Sequence, residues 1–278
     1  MLSIDPKKEK TAFVHQYILG AVAPRPIAFA STIDNDGNIN LSPFSFFNAF
    51  SANPPILIFS PARRVRGNTI KHTLENVIEN KEVVISIPSA EMAEQVSLSS
   101  CDFEKEINEF KKAGLTPFGS TIIKPFCVKE SPVNFECIVN DIIALGNKGG
   151  AGNLVICEIV KIHIQEKILD ENNKIDPLKL NALSRLGGNW YGKATKDSLF
   201  ELKKPIGKIV MGVDQLPEKI RTSPILSGND LAILASVEEI PFKNPDFEKE
   251  NILDNEKHKI AKKLLKKGKI NEAWQILL

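Results

Sequence analysis

Two stretches of this chain concentrate residues whose types and spacing suit the holding of an anion. In residues 24–48, PRPIAFASTIDNDGNINLSPFSFFN, Ser31 and Thr32 precede a turn, and Ser42, Ser45 and Asn48 follow it. Hydroxyls and backbone N–H groups gathered at strand ends can hold a phosphate or the polar edge of a heterocycle. Phe44, Phe46, Phe47 and Phe50 offer apolar faces beside them. In residues 60–73, SPARRVRGNTIKHT, the cations Arg63, Arg64 and Arg66 stand just before a helix-like run that opens with Asn68 and Thr69 and continues through Lys71, His72 and Thr73. Guanidinium forks match phosphate geometry, and a helix N-terminus adds N–H donors and the positive end of its dipole. Each stretch taken alone has a plainer alternative, a hydrophobic hairpin with turn serines and a solvated basic loop. Other chemistries lack their signatures. No GxxxxGK[ST] indicates a P-loop, no GxGxxG follows a strand, and neither HExxH nor a Ser-His-Asp order occurs.

The elements that must position these residues are mostly strands. Residues 26–33 (PIAFASTI) and 39–44 flank Asp34-Asn35-Asp36-Gly37, a hairpin signal because Gly takes positive φ without steric cost. Pro54-Pro55 breaks the chain before a strand at 56–59. Residues 68–80 predict a helix with Ile70, Leu74, Val77 and Ile78 on one face and Asn68 as its N-cap. A strand at 82–87 and a short helix at 89–97 follow, then two long β-like runs at 134–145 and 154–164. Near the end of the second run His163 alternates with Ile162 and Ile164, so if the isoleucines are core His163 faces a cleft or solvent. Hairpins dominate and no regular βαβ alternation appears. The expected fold is therefore a closed antiparallel barrel with peripheral helices rather than a doubly wound parallel sheet. Residues 1–25 show little regular pattern beyond a short apolar piece at 18–22. Residues 254–268 form a basic amphipathic helix stopped by Gly268, with a second short helix at 270–278; docking on the barrel or on a partner subunit is the plain expectation for this part. His15 and His258 stand in polar contexts and are expected at the surface.

Composition narrows the class. Lys plus Arg number 36 and Asp plus Glu 34, for a net charge of +2, which gives no reason to expect nucleic acid or a membrane as the main partner. Cys101, Cys127, Cys137 and Cys157 show no CxxC spacing and no zinc-like pairing with His, so free thiols in a reducing compartment are expected. The polar, lysine-rich residues 1–10 lack the apolar core of a secretory signal, and no apolar run reaches the length of a membrane span. A cytoplasmic protein is expected.

The segment ILGAVAPRPIAFASTIDNDGNINLSPFSFFNAFSANPPILIFSP, followed by NTIKHTLENV and EVVISIP, resembles the flavin reductase-like family of FMN-binding split barrels over residues 18–192. SRLGGNWYG at 184–192 resembles that family's Arg-Leu-Gly-Gly segment. The resemblance implies an antiparallel split β-barrel over residues 1–204 with a partly helical C-terminal extension over 205–278. It implies FMN, with FAD the lesser alternative, and NAD(P)H as a co-substrate. Ser31 and Thr32 would line the phosphate and ribityl region, and Ser45, Phe46, Phe47 and Asn48 would run along the isoalloxazine. Arg64, Lys71 and Thr73 would neutralise the phosphate. His163, Arg185 and Tyr191 would border the open flavin face. The family's Lys-Asp-Thr element here reads Lys71-His72-Thr73, which leaves the role of position 72 open. A homodimer is implied, as is an acceptor that is a flavin, a ferric or organic compound, or a partner monooxygenase. A flavin carrier without its own turnover and a pyridoxamine-phosphate-oxidase-like enzyme are the alternatives.

Overall fold

In the computed structural model, residues 1–202, 209–245, 247 and 253–278 are described. The chain divides into two compact units, Met1–Phe200 and Glu201–Leu278. The boundary expected at 204/205 falls outside the described residues.

The first unit opens with helix α1 (Thr11–Ala21). Strands β1 (Arg25–Pro26), β2 (Ala28–Ile33), β3 (Ile39–Phe44), β4 (Phe47–Ala52) and β5 (Pro55–Phe59) follow, then helix α2 (His72–Asn80) and strand β6 (Glu82–Ile87). Helices α3 (Ala93–Leu98) and α4 (Glu109–Ala113) precede β7 (Pro117–Phe118) and β8 (Cys127–Val128). Two long strands, β9 (Val133–Ala144) and β10 (Asn153–Ile164), are followed by α5 (Pro177–Leu180), β11 (Ser184–Arg185) and β12 (Tyr191–Gly192).

Seven of these strands form one antiparallel sheet in the order β3-β2-β6-β9-β10-β5-β4. Its two outer strands, β3 and β4, are neighbours in sequence, separated only by Ser45 and Phe46. The sheet therefore comes round on itself with a covalent link rather than a ladder at the seam. Register shifts at Ile156/Cys157 and Ile159/Lys161 interrupt the β9–β10 ladder. Such bulges bend a strand and let a sheet curl.

Alternation along β2 explains the two cores. Ala28 and Ala30 face a cluster with Phe44, Leu57, Phe59, Leu74, Val77, Val83, Ile85, Val139, Val155 and the buried thiols Cys137 and Cys157. Phe29, one residue out of phase, faces a second cluster with Leu41, Met92, Val96, Phe110 and Leu183 under α3 and α4. The Asp34–Gly37 turn forms as its sequence predicts. Gly37 has φ +88°, and the Asp34 carboxylate accepts from Asp36 N (3.0 Å) and Asn38 N (2.8 Å).

The second unit carries α6 (Glu218–Arg221), α7 (Gly228–Leu234), α8 (Asp254–Lys266) and α9 (Ile270–Leu277). It has its own core of Met211, Leu216, Ile220, Leu226, Leu234, Ala261, Leu265 and Trp274. The Trp274 indole donates to Leu234 O at 3.1 Å.

Several expectations need correction. Residues 11–21 are helical, although no α1 residue is buried. Asn68 does not cap α2. It turns left-handed at φ +50° and its Oδ1 accepts from Arg63 Nε, so the helix starts four residues later with Lys71 at the cap position. His258 is buried, its Nδ1 2.7 Å from Ser223 Oγ. Among the described residues no helix is long and apolar enough to cross a membrane.

Candidate functional site

A polar pocket lies where β3, the segment leading into α2, and the 99–109 region meet. It is lined by Asn40, Ser42, Arg64, Lys71, His72, Thr73, Ser99, Cys101, Asp102, Phe103 and Glu109. Arg64 reaches it on a loop held from several sides. Arg63 N donates to Ala151 O (2.8 Å), Gly150 N to Arg63 O (3.0 Å) and Arg64 N to Thr69 O (2.8 Å). Gly149 lets the β9–β10 turn approach that loop, because a Cβ there would lie 2.9 Å from Val65 O. The Arg64 guanidinium bonds Ile70 O and Thr69 Oγ1 and lies 3.5 Å from an Asp102 carboxylate oxygen. Arg63 is turned back onto Asn68 and Arg66 does not line the pocket. Of the three arginines, only Arg64 lines the pocket.

Helix α2 points its N-terminus at this pocket, and the first-turn N–H groups of a helix lack intrahelical partners. Two side-chain bonds bolt its first turns to the hairpin. Thr73 Oγ1 donates to Asn40 Oδ1 (2.6 Å) and Asn76 Nδ2 donates to Thr32 Oγ1 (3.0 Å). Asn40 and Leu41 are tied in turn to buried Glu109. Asn40 Nδ2 donates to its Oε1 (2.8 Å) and Leu41 N to its Oε2 (2.9 Å).

The sequence-predicted residues are thus partly united. Arg64, Lys71 and Thr73 share the pocket with Ser42. Thr32 is paired across the ladder with Asn40 but is fully buried behind it, supporting α2 through Asn76. Ser31 points to the opposite face, the side of Phe29, because β-strand side chains alternate. Its Oγ is buried without a hydrogen-bond partner. Asn40 and Glu109 were missed by sequence reasoning. Asn40 sits one position before an apolar residue of β3, and Glu109 is 68 residues from the Leu41 amide it serves.

Ser45, Phe46, Phe47 and Asn48 form the seam and the start of the edge strand β4. Phe47 packs on the barrel core, Phe46 is half-exposed with the His15 ring edge-on at 6.1 Å, and Asn48 is exposed. Arg25 lies nearby, its Nε 3.5 Å from Ser45 Oγ. It is buried and finds backbone carbonyls instead of an acid: Leu19 O (2.6 Å), Val22 O and Leu186 O (3.0 Å). Burial, and then the neighbouring Arg185, push its guanidinium below the usual value. Arg185 pairs with Arg25 across β1–β11 and with Tyr191 across β11–β12. Its guanidinium lies 4.3 Å from the centre of the Tyr191 ring. The Leu-Gly-Gly turn fits against α1 because position 187 has no side chain. A Cβ there would lie 2.9 Å from Gly20 Cα.

His163 belongs to a different place. Ile162 and Ile164 are the exposed residues, and His163 turns the other way, with Nε2 2.6 Å from the fully buried Glu136. Glu136 also accepts from Thr121 N (2.7 Å), Thr121 Oγ1 (2.9 Å), Ile122 N (2.7 Å) and Ile123 N (3.2 Å). Burial alone would raise this carboxyl. The His163 ring and the Thr121 and Ile122 donors overcome it and hold it at about 2. Cys127 completes a group whose ligating atoms lie within 4.8 Å of one another. The carboxylate's lone pairs are already filled by these donors, which makes the group a clamp on the 121–123 loop rather than a metal centre.

These features define an antiparallel split barrel with a polar pocket, lined by Arg64 and Lys71, between its first hairpin and α2. The chain belongs to the flavin reductase-like family, whose domain model matches residues 20–180. An uncharacterised protein of Halalkalibacterium halodurans is 35% identical over 206 residues, covering 73% of this chain and 97% of that one. Nitrilotriacetate monooxygenase component B from Bacillus cereus superposes with a TM-score of 0.68 at 31% identity, covering 73% of this chain and 98% of that one. A split barrel domain protein from Shewanella frigidimarina NCIMB 400 shares the fold at a TM-score of 0.61 and 24% identity, covering 71% and 95%.

Proposed function

We propose that this protein binds FMN non-covalently and works in the cytoplasm as a homodimeric, NAD(P)H-dependent reductase. The observation that carries the reading is the convergence of Arg64, Lys71, Thr73, Ser42 and the N-terminus of α2 on one pocket. Two cations, hydroxyls and open backbone donors fit a phosphate monoester dianion. The flavin, when bound, supplies the hydride and electron chemistry. The chain's own residues bind and orient it. Ser45 to Asn48 would run along the ring system from the barrel seam. Arg185, steadied by Tyr191 and Trp190 O, would border the open face where a pyridine nucleotide or acceptor stacks. His163, committed to Glu136, is assigned to the loop clamp instead. The acceptor would be a flavin, a ferric or organic compound, or a partner monooxygenase, a role supported by the likeness to component B of nitrilotriacetate monooxygenase. FMN is favoured over FAD because the pocket suits a terminal phosphate.

A second copy would cover β4 and α1. Edge strand β4 carries Phe50 at 64% exposure, and α1 leaves Phe13, Tyr17 and Ile18 outside any core. An edge strand with exposed aromatics is a liability unless covered.

The test is anaerobic. Purified protein should carry FMN, identified after release by chromatography, and should bleach on addition of NADH or NADPH. Bound FMN that neither nucleotide bleaches would replace the reductase with a flavin carrier. Protein that neither retains nor takes up FMN would remove the proposal altogether.

A further inference from the structure

Glu109 is the buried acid of the pocket that has no cation. It is 4% exposed, and among the described residues no Lys, Arg or His pairs with it. It is hydrogen-bonded into a file of three buried side chains that all line the pocket. Asn40 Nδ2 donates to Glu109 Oε1 (2.8 Å), and Thr73 Oγ1 donates to Asn40 Oδ1 (2.6 Å). Thr73, on the first turn of α2, ends the file beside Arg64 and Lys71.

An ionised Glu109 can only accept, so Asn40 must turn its NH2 group inward and its carbonyl toward Thr73. Thr73 has one hydroxyl proton, and that proton goes to Asn40. Toward the pocket its oxygen then presents lone pairs, the wrong polarity for an anion. The Asn40 amide can invert by turning half a circle. With a proton on Glu109 Oε1, Glu109 donates to the Asn40 carbonyl, Asn40 donates to Thr73 Oγ1, and Thr73 donates outward. Leu41 N keeps its acceptor, Oε2, in both states.

We propose that Glu109, Asn40 and Thr73 are a reversible hydrogen-bond relay, so that an anion entering the pocket is bound together with a proton taken from solvent by Glu109. This rests on the pocket being the FMN phosphate site. Glu109 and Asn40 are positioning residues that act through Thr73. Burial already raises the Glu109 carboxyl, against the opposing Leu41 and Asn40 donors. The titratable groups facing the same pocket are Arg64, Lys71 and His72 on the α2 side and Cys101 and Asp102 on the 99–107 loop. Helix α4 itself carries Lys111 and Lys112, neighbouring α3 carries Glu94, and β3 carries no charge. A dianion entering the same pocket would disfavour a second negative charge on Glu109, and so draw the proton on.

The experiment is calorimetric titration of the intact protein with FMN, between pH 7.5 and 8.5, in buffers of different ionisation enthalpy. In that range the FMN phosphate is already a dianion, since its second pKa is about 6. The wild type should take up as much as one proton per FMN, and its affinity should fall with rising pH by up to about tenfold per unit. Glu109→Gln fixes the relay outward, because its carbonyl accepts from Leu41 N and its NH2 donates to Asn40. It should bind FMN at least as tightly as wild type at pH 8.5, with no proton uptake and no pH slope. Thr73→Val should bind more weakly and also without uptake, and Thr73→Ser should restore uptake. Wild-type binding without proton uptake, or uptake that persists in Glu109→Gln or Thr73→Val, would overturn the relay alone. Absence of any FMN binding by the wild type would instead overturn the functional reading beneath it.

Discussion

Glu136 and Glu109 are both buried glutamates of the barrel unit, yet their surroundings push them in opposite directions. Glu136 meets three backbone N–H groups, a hydroxyl and an imidazole, and its carboxyl is held at about 2. Glu109 meets one N–H from another element and one amide, and burial keeps its carboxyl above the usual range. Burial is the largest influence on each, and what differs is whether the donors overcome it. A carboxylate saturated with donors is a permanent anion and fixes a loop. One short of donors is poised to take a proton, and it lines the pocket proposed to hold the flavin phosphate.

The largest expected effect comes from breaking the saturated site. Glu136→Gln places an NH2 group against donors, and unfolding free energy should drop by on the order of 3 kcal/mol, measured by urea denaturation at pH 7. Glu109→Gln, by contrast, keeps an acceptor for Leu41 N and should cost much less; equal losses would erase the distinction.

Acid titration sharpens it further. The folded-state value for Glu136 lies below the unfolded one, so its contribution is present above about pH 4.5 and is lost as pH falls toward about 2. That loss is again on the order of 3 kcal/mol, and Glu136→Gln should flatten the stability profile there. Glu109 has the opposite sign. Its raised value means ionisation disfavours the fold, so stability should decline as pH rises above the usual carboxylate range, and Glu109→Gln should remove that decline.

A smaller effect serves as control. Gly187→Ala sets a Cβ against Gly20 Cα, away from both carboxylates, and should cost roughly 1–3 kcal/mol. The acid profile should keep its wild-type shape. A changed shape would mean that the α1 contact and the clamp are coupled.

Much of this was legible in sequence. Apolar, β-like runs marked β2, β3, β6, β9 and β10, with period-two alternation at the end of β10, and Asp34 to Gly37 marked the first hairpin. Arg64, Lys71 and Thr73 stood in one short segment, so their convergence required only a local turn. The partners of Glu109 and Glu136 did not, because they are supplied by loops and strands brought near only by folding. Glu136 did leave a trace: it is a lone charge inside the apolar run VNFECIV, a conflict that marks a satisfied buried group. Asn68 misled because the same amide that can cap a helix can stabilise a left-handed turn, and Arg63 claimed it.

The central claim is that the pocket between β3 and α2 holds a flavin phosphate. It is tested most directly by comparing FMN with riboflavin, which differs only in lacking that phosphate, on wild type and Arg64→Ala. Wild type should prefer FMN strongly. Loss of one charge-assisted contact, about 1.5–3 kcal/mol, should weaken FMN binding roughly 10- to 150-fold while leaving riboflavin affinity unchanged. Equal affinity for the two flavins in the wild type, or an undiminished preference for FMN in Arg64→Ala, would contradict the account.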